Sequence, residues 1–327
     1  MTKRFAGLVL FGLGFVLLLV LLSRLDLAAV RASLNHVGWL GFAAVVAAGL
    51  ALTACLATGL YPLLGEKASV ILVLAVRQLR DSAGDILPFT QIGGIALGMR
   101  VMTLGGVAAP RAMAAGVVDV TTELMAQSFF ILAGIGLAAP ALQADPHLGP
   151  YFGWLAAGAL LFAAGIVIFA FLQLAGSHFA QALLGTASTT DFREAIHGLY
   201  RQRSRVVLSV GLHIFGWCAS GVWLWLLFWV LGSPLSLSSA LAVQSLLEAL
   251  RSATVFVPAA LGVQEAGYAA LMPLFGLSPE IGLAASMLRR ARDIAVGVPV
   301  LLGWQIAEGR RLRPAAGHGA SEAGELT

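Results

Sequence analysis

The sequence predicts an all-α membrane protein with about six transmembrane helices and two oppositely oriented re-entrant helical hairpins in an inverted repeat. Three observations carry this reading. The chain is 59% hydrophobic and only 11% charged, with a mean hydropathy of +0.90, whereas soluble domains carry about 25% charged residues. It holds several uninterrupted apolar runs of the ~20 residues that a spanning helix needs. Two further regions, 68–106 and 237–277, are broken by proline and glycine, carry charges, and resemble each other.

The apolar runs fall at 5–23, 38–60, 116–139, 152–175, 206–231 and 281–306. The first follows Lys3 and Arg4 like a signal peptide, but it is longer than the usual signal core and no small-residue cleavage site follows directly. It is read as an uncleaved span. Lys3 and Arg4, the basic 193–205 loop (Arg193, Arg201, Arg203, Arg205) and Arg310, Arg311 and Arg313 fall on one side of a six-span arrangement. The loops "ALQADPHLGP" and "GSPLSLSS", without Lys or Arg, fall on the other, and only Arg24 and Arg31 disagree. Positive charge stays inside, so both termini are expected in the cytoplasm of a bacterial inner-membrane protein. The formal net charge of +4 thus reflects orientation, not nucleic-acid binding.

With that count, 68–106 must start and finish in the cytoplasm, and 237–277 must start and finish outside. Each is expected to dip into the membrane and return. The first reads "VRQLRDSAGDILPFTQIGGIALGMRVMTLGG" and precedes a span with Asp119 and Glu123. The second reads "VQSLLEALRSATVFVPAALGVQEAGYAALMPLFG" and precedes a span with Arg289, Arg290, Arg292 and Asp293. Two similar units of opposite orientation, 68–139 and 235–306, make an inverted repeat, a common transporter plan. Residues 1–309 form one polytopic domain, and 310–327 read as a disordered cytoplasmic tail. Pro88, Gly93, Gly94, Pro258 and Gly262 are assigned to hairpin architecture, because non-helical backbone at membrane depth must be buried or line a cavity.

Seven acidic residues (Asp81, Asp85, Asp119, Glu123, Glu248, Glu265, Asp293) and seven basic ones (Arg77, Arg80, Arg100, Arg251, Arg289, Arg290, Arg292) occupy the broken regions and the spans after them. Each charge costs at least ~2.5 kcal/mol at the bilayer centre, so they should face one another or a wet cavity. Asp119 and Glu123 share a helical face and repel unless a cation, proton or arginine intervenes. Arg289 and Asp293 are spaced to pair within their helix. Arg290 and Arg292 project elsewhere, toward Asp119, Glu123 or a ligand phosphate, which arginine binds in bidentate fashion. Glu265 sits in the first turn of a helix beginning near Gly262. It is either a partner of the helix dipole or of an arginine, or a proton- or ligand-linked carboxylate. The tryptophans 217, 223, 225 and 229 read as lipid-facing packing and His213 as a span-end residue. Cys55 and Cys218 read as small core residues. No P-loop, zinc signature, cofactor motif or metal-ligand spacing is present, so no enzyme activity, cofactor or metal is expected.

The segments "LPFTQIGG…GMR", "GVVDVTTELMAQ", "VPAALGVQEAGY" and "LRRARD" resemble the flippase-like integral-membrane family that includes the transmembrane domain of lysyl-phosphatidylglycerol synthases. The P-x-x-L-G-x-x-E pattern at 258–265 is the most specific match, and the hopanoid-biosynthesis-associated branch (HpnL) is the most similar. The resemblance covers about 5–306 and implies translocation of a membrane lipid, a hopanoid or anionic phospholipid, through a polar cavity. Many members carry a Glu just after the paired glycines of the first hairpin, and Ile95 stands there instead. This leaves Arg100, Asp119, Glu123 and Glu265 as the positions to which a family role transfers, with Arg289, Arg292 and Asp293 completing the expected cavity. The aminoacyl-transferring domain of the synthases has no counterpart in these residues. Two other readings stay open: an enzyme acting on a polyprenyl or lipid phosphate, and a non-transporting subunit of a lipid-modifying complex.

Overall fold

A computed structural model describes residues 27–65, 68–86, 91–175, 189–254, 257 and 260–312, and among these every regular element is helical. The expected span at 5–23, the hairpin prolines Pro88 and Pro258, and 313–327 lie outside the described residues.

Helix α1 (Leu27–Ala57) bends at Gly38 and runs on through a 3₁₀ turn, Thr58–Leu60, and a closing turn, Tyr61–Leu64. There follow α2 (Val70–Ile86), α3 (Gln91–Leu104), α4 (Ala109–Ala144) and α5 (Phe152–Ala175). The chain continues with α6 (Thr189–Arg201), α7 (Arg203–Val230), α8 (Leu237–Ala253), α9 (Val263–Leu271) and α10 (Pro279–Leu312). Four stretches among the described residues are long and apolar enough to cross a membrane: Leu34–Leu64, Ala109–Ala144, Gly149–Gln173 and Arg203–Val230. Helix α10, with 34 residues, is about 51 Å long at 1.5 Å per residue. Its mid-helix charges keep it out of that apolar class.

Two observations refine the sequence reading of these elements. The basic segment expected as a loop at 193–205 is mostly the helix α6. Phe192, Ile196 and Leu199 repeat at helical spacing, are buried, and pack α6 on α4, while Asp191 and Arg193 stay exposed. Gly93 and Gly94 lie in the first turn of α3, not in the hairpin turn itself. Gly94 serves close packing: a Cβ there would come within 2.6 Å of the Arg80 backbone carbonyl oxygen, so only glycine lets α3 lie directly on α2. The chain turns between α8 and α9. Ala260 and Gly262 take left-handed conformations (φ 47° and 76°), which glycine adopts freely, and α9 begins one residue later.

Packing pairs the two units. In the first, α2 packs on α3 and α3 on α4; in the second, α8 packs on α9 and α9 on α10. Across units, α4 packs on α8 and α10 on α2. Helix α1 meets α2 and α10 as α7 meets α8 and α4, and α1 and α7 pack on each other. Exchanging α1–α4 for α7–α10 leaves this set of neighbours unchanged. The polar residues follow the same register. Arg77 and Asp81 stand as far from the start of α2 as Gln244 and Glu248 do from the start of α8. Asp119 and Glu123 stand as far along α4 as Arg289 and Asp293 along α10.

Two apolar clusters hold these units. One gathers Val45, Phe228, Leu247, Tyr268 and Leu283, all fully or nearly fully buried; the other gathers Leu63, Val76, Met102, Val118 and Leu199. Helix α5 stands apart, touching mainly α4, and is almost wholly unburied. A uniformly apolar helix this exposed belongs against lipid.

Candidate functional site: a charged cavity between the units

A cavity of about 120 Å³ opens where α1, α2, α7, α8 and α10 meet. At ~30 Å³ per molecule it has room for about four waters. Its walls carry four arginines and four carboxylates. Arg77, Asp81 and Asp85 come from α2, Glu248 and Arg251 from α8, and Arg289, Arg292 and Asp293 from α10. The charges on α10 lie well inside a long helix, at least ten residues from either end. At such a depth an unpaired charge is expensive, and the walls answer with ion pairs. Asp81 accepts from Arg77 Nε at 2.8 Å, and Asp85 from Arg251 Nη2 at 3.1 Å. Asp293 accepts from Arg292 Nη1 at 2.8 Å, and Glu248 lies 3.7 Å from Arg289 Nη2.

Most of these arginines have a second anchor. Arg292 Nη2 donates to the Gly49 carbonyl at 2.7 Å on α1. Arg289 Nη1 lies 3.4 Å from Gln244 Oε1 and 3.3 Å from the Tyr268 hydroxyl oxygen. Both guanidiniums stack over Trp223, at 5.6 and 5.7 Å from the ring centroid, where the negative ring face attracts cations. Trp223 is therefore buried at the cavity wall, and Trp217 stacks on Phe130. Only Trp225 and Trp229 of the four tryptophans keep the lipid-facing role expected of the group.

Beside the cavity, α4 carries a closed charge cluster. Glu123 accepts from Arg77 Nη1 at 2.6 Å and from Arg80 Nη2, and Asp119 accepts from Arg80 Nη1 at 2.9 Å. Asp119 also lies 3.1 Å from His213 Nε2. An ionised carboxylate only accepts, so this contact places the ring proton on Nε2. His213 is buried in the middle of α7, not at a span end, and its Nδ1 finds no partner among the described residues.

Arg289, Arg292 and Asp293 thus line the cavity, whereas Asp119, Glu123 and Glu265 are not among its lining residues. Three expectations are corrected. The cations that reconcile Asp119 with Glu123 are Arg77 and Arg80 of α2, because α2 packs one helix away while Arg290 and Arg292 face elsewhere. Asp293 takes Arg292 as its partner, and Arg289 turns to Glu248, because α8 offers a carboxylate across the cavity. Arg100 stands outside the cavity: near the end of α3, with its side chain 49% exposed, it donates to Glu308 at 2.7 Å. Glu265 fulfils both structural expectations at once. Its Oε2 accepts from the Gly262 N–H at 2.8 Å and its Oε1 from Arg290 Nε at 2.8 Å.

The residues that sequence reasoning left out of the site are Arg77, Asp81, Asp85, Gln244, Glu248 and Arg251. All but the neutral Gln244 were visible as charges in broken apolar regions. The missing signal was helical phase: in α2 and α8 they fall three and four residues apart, on the face turned to the partner unit. Among the described residues, no group of three His, Cys, Asp or Glu is placed to hold a metal ion.

Fold and site together define an all-helical membrane protein with a charge-paired polar cavity between its helices. The family model of the lysylphosphatidylglycerol synthase TM region matches residues 4–303. The chain belongs to that family and is a multi-pass membrane protein involved in lipid handling. No curated protein and no solved structure matches the chain.

Proposed function

We propose that this protein translocates a lipid across the bacterial inner membrane. The polar headgroup passes through the charged cavity while the tails stay in the bilayer, in support of hopanoid or other polar-lipid export. The observation that carries the reading is a wet-sized space walled by four arginines and four carboxylates inside a chain of which only 11% is charged. Buried ionisable groups of this kind mark pathways through membrane proteins. At about 120 Å³ the cavity is well below the ~300–1,000 Å³ of pockets that enclose whole ligands. It suits a headgroup and excludes acyl chains.

The architecture supports an inverted repeat with re-entrant hairpins. Helices α2, α3, α8 and α9, of 17, 14, 17 and 9 residues, reach at most about 26 Å, short of the ~30 Å hydrocarbon core. The matched packing of the two units is what a pseudo-two-fold plan requires. With a first span at 5–23 and α10 added to the four apolar spans, six helices cross and both termini are cytoplasmic. The protein acts without chemistry of its own and without a cofactor.

Two measurements test this. In a variant lacking Cys55 and Cys218, a cysteine at Ser236 is expected to label from the periplasm and one at Ser188 from the cytoplasm; the reverse pattern would sink the topology. In proteoliposomes, purified protein is expected to move fluorescent polar lipids between leaflets with headgroups intact. A hydrolysed headgroup would instead favour an enzyme acting on a lipid phosphate.

A further inference from the structure

We infer that the cavity selects a zwitterionic headgroup, one phosphate joined to one ammonium, over an anionic one. This rests on the translocation reading above. The starting point is electrical neutrality. Each arginine on the wall is matched by a carboxylate within ion-pair distance, at 2.8, 3.1, 3.7 and 2.8 Å for Arg77–Asp81, Arg251–Asp85, Arg289–Glu248 and Arg292–Asp293. No wall arginine waits uncommitted for a phosphate. A phosphate entering alone must draw an arginine away from its carboxylate, and the carboxylate is then left with only the few waters that the cavity holds. Breaking a part-buried pair in this way is unfavourable. A headgroup with both charges replaces one internal ion pair by two external ones and leaves nothing unpaired.

The structure also singles out which pair exchanges. Arg77 is held a second time by Glu123 on α4. Arg289 is held by Gln244, Tyr268 and the face of Trp223, and Arg292 by Gly49 and the same ring. Arg251 has Asp85 as its one hydrogen-bond partner among the described residues, and Asp85 has Arg251. Their side chains, 22% and 26% exposed, are the most open of the four pairs when both partners are considered. The pair also joins the two units, α8 to α2. A phosphate would take the bidentate face of Arg251 and an ammonium would take Asp85. The same exchange would loosen the only wall pair that ties one hairpin to the other among the described residues, coupling headgroup entry to separation of the hairpins.

The test compares acyl-labelled phosphatidylethanolamine, phosphatidylglycerol and N-acetylated phosphatidylethanolamine in proteoliposomes of the full chain. The acetylated lipid keeps the shape of the first but loses its ammonium. Wild type is expected to move phosphatidylethanolamine about tenfold faster than either anionic lipid, a difference of roughly 1.4 kcal/mol. Asp85→Asn, which frees Arg251, is expected to erase that preference. Wild type moving all three alike would overturn the inference and leave translocation standing. Failure to move any lipid would overturn both. A second measurement needs neither flux nor a variant: soluble phosphoethanolamine is expected to raise the melting temperature of the purified protein at lower concentration than glycerol phosphate does. Equal or inverted potency would count against the inference whatever the transport result.

Discussion

Glu123→Gln is expected to cost the folded protein about 3–5 kcal/mol, and Arg292→Ala is expected to leave folding nearly intact while stopping lipid movement. The contrast follows from what each side chain holds. Glu123, nearly buried, receives Arg77 on one oxygen and Arg80 on the other. A neutral amide there offers one acceptor and turns two donor hydrogens toward guanidiniums that already donate. Two arginines then share Asp119 and Asp81 where the side chains are largely buried. Arg292 instead lines the open cavity. Its loss uncovers Asp293 to a space that water enters, and α10 keeps its packing on α1 and α2. Melting temperature in detergent and membrane yield read the first effect; lipid flux per folded molecule reads the second. A Glu123→Gln protein with wild-type melting and no flux would make Glu123 a working group. An Arg292→Ala protein with wild-type flux would mean that the headgroup does not pass this cavity.

The fold was legible in the sequence because its strongest signals are local. Runs of apolar residues give α4, α5 and α7, and the Gly262 turn gives the start of α9. The site was legible as composition but not as connectivity. That charges must neutralise one another follows from the cost of burying them, and seven of each sign foretold a paired network. Which arginine meets which carboxylate depends on helix rotation and on which helices pack, and neither is local. The spacing of Arg289 and Asp293 favoured an intrahelical pair, yet Glu248 on α8 competes for Arg289 from across the cavity. Asp119 and Glu123 were expected to look toward α10, yet α2 lies between. Arg100 shows a different limit. A family motif fixed its position in the sequence, but a residue near the end of α3 projects to the rim, where Glu308 meets it. His213 was masked by its setting: in a run rich in tryptophan near a basic segment it reads as an interfacial residue. Only the packing of α7 on α4 brings it to Asp119.

Glu265→Gln is expected to fail where Glu265→Asp keeps partial function, with a loss of about 3–5 kcal/mol in the Gln protein. Glu265 closes two obligations. One oxygen receives the Gly262 N–H, one of the donors that a helix start leaves without an intrahelical partner. The other receives Arg290 Nε, and Nη2 of the same guanidinium lies 2.7 Å away. Favourable interaction of a carboxylate with the helix dipole is worth only ~0.3–1 kcal/mol, and an amide oxygen replaces the acceptor for Gly262. If the helix start were the whole role, Gln would lose little. The arginine decides the matter, because the amide of Gln must aim either its oxygen or its NH2 at Arg290. The oxygen supplies no charge and leaves Gly262 facing a donor; the NH2 repels the guanidinium outright. Asp keeps the charge but is shorter by one methylene, so it holds one partner well and the other poorly. The decisive comparison is the cycle of Glu265→Gln, Arg290→Gln and both together. If the ion pair is the role, the double variant should recover most of the stability lost by Glu265→Gln, because no charge is then left alone. Equal destabilisation by Glu265→Gln in the presence and absence of Arg290 would place the whole effect on the Gly262 turn. A fully stable Glu265→Gln protein with no flux would move Glu265 from architecture to the transport cycle itself.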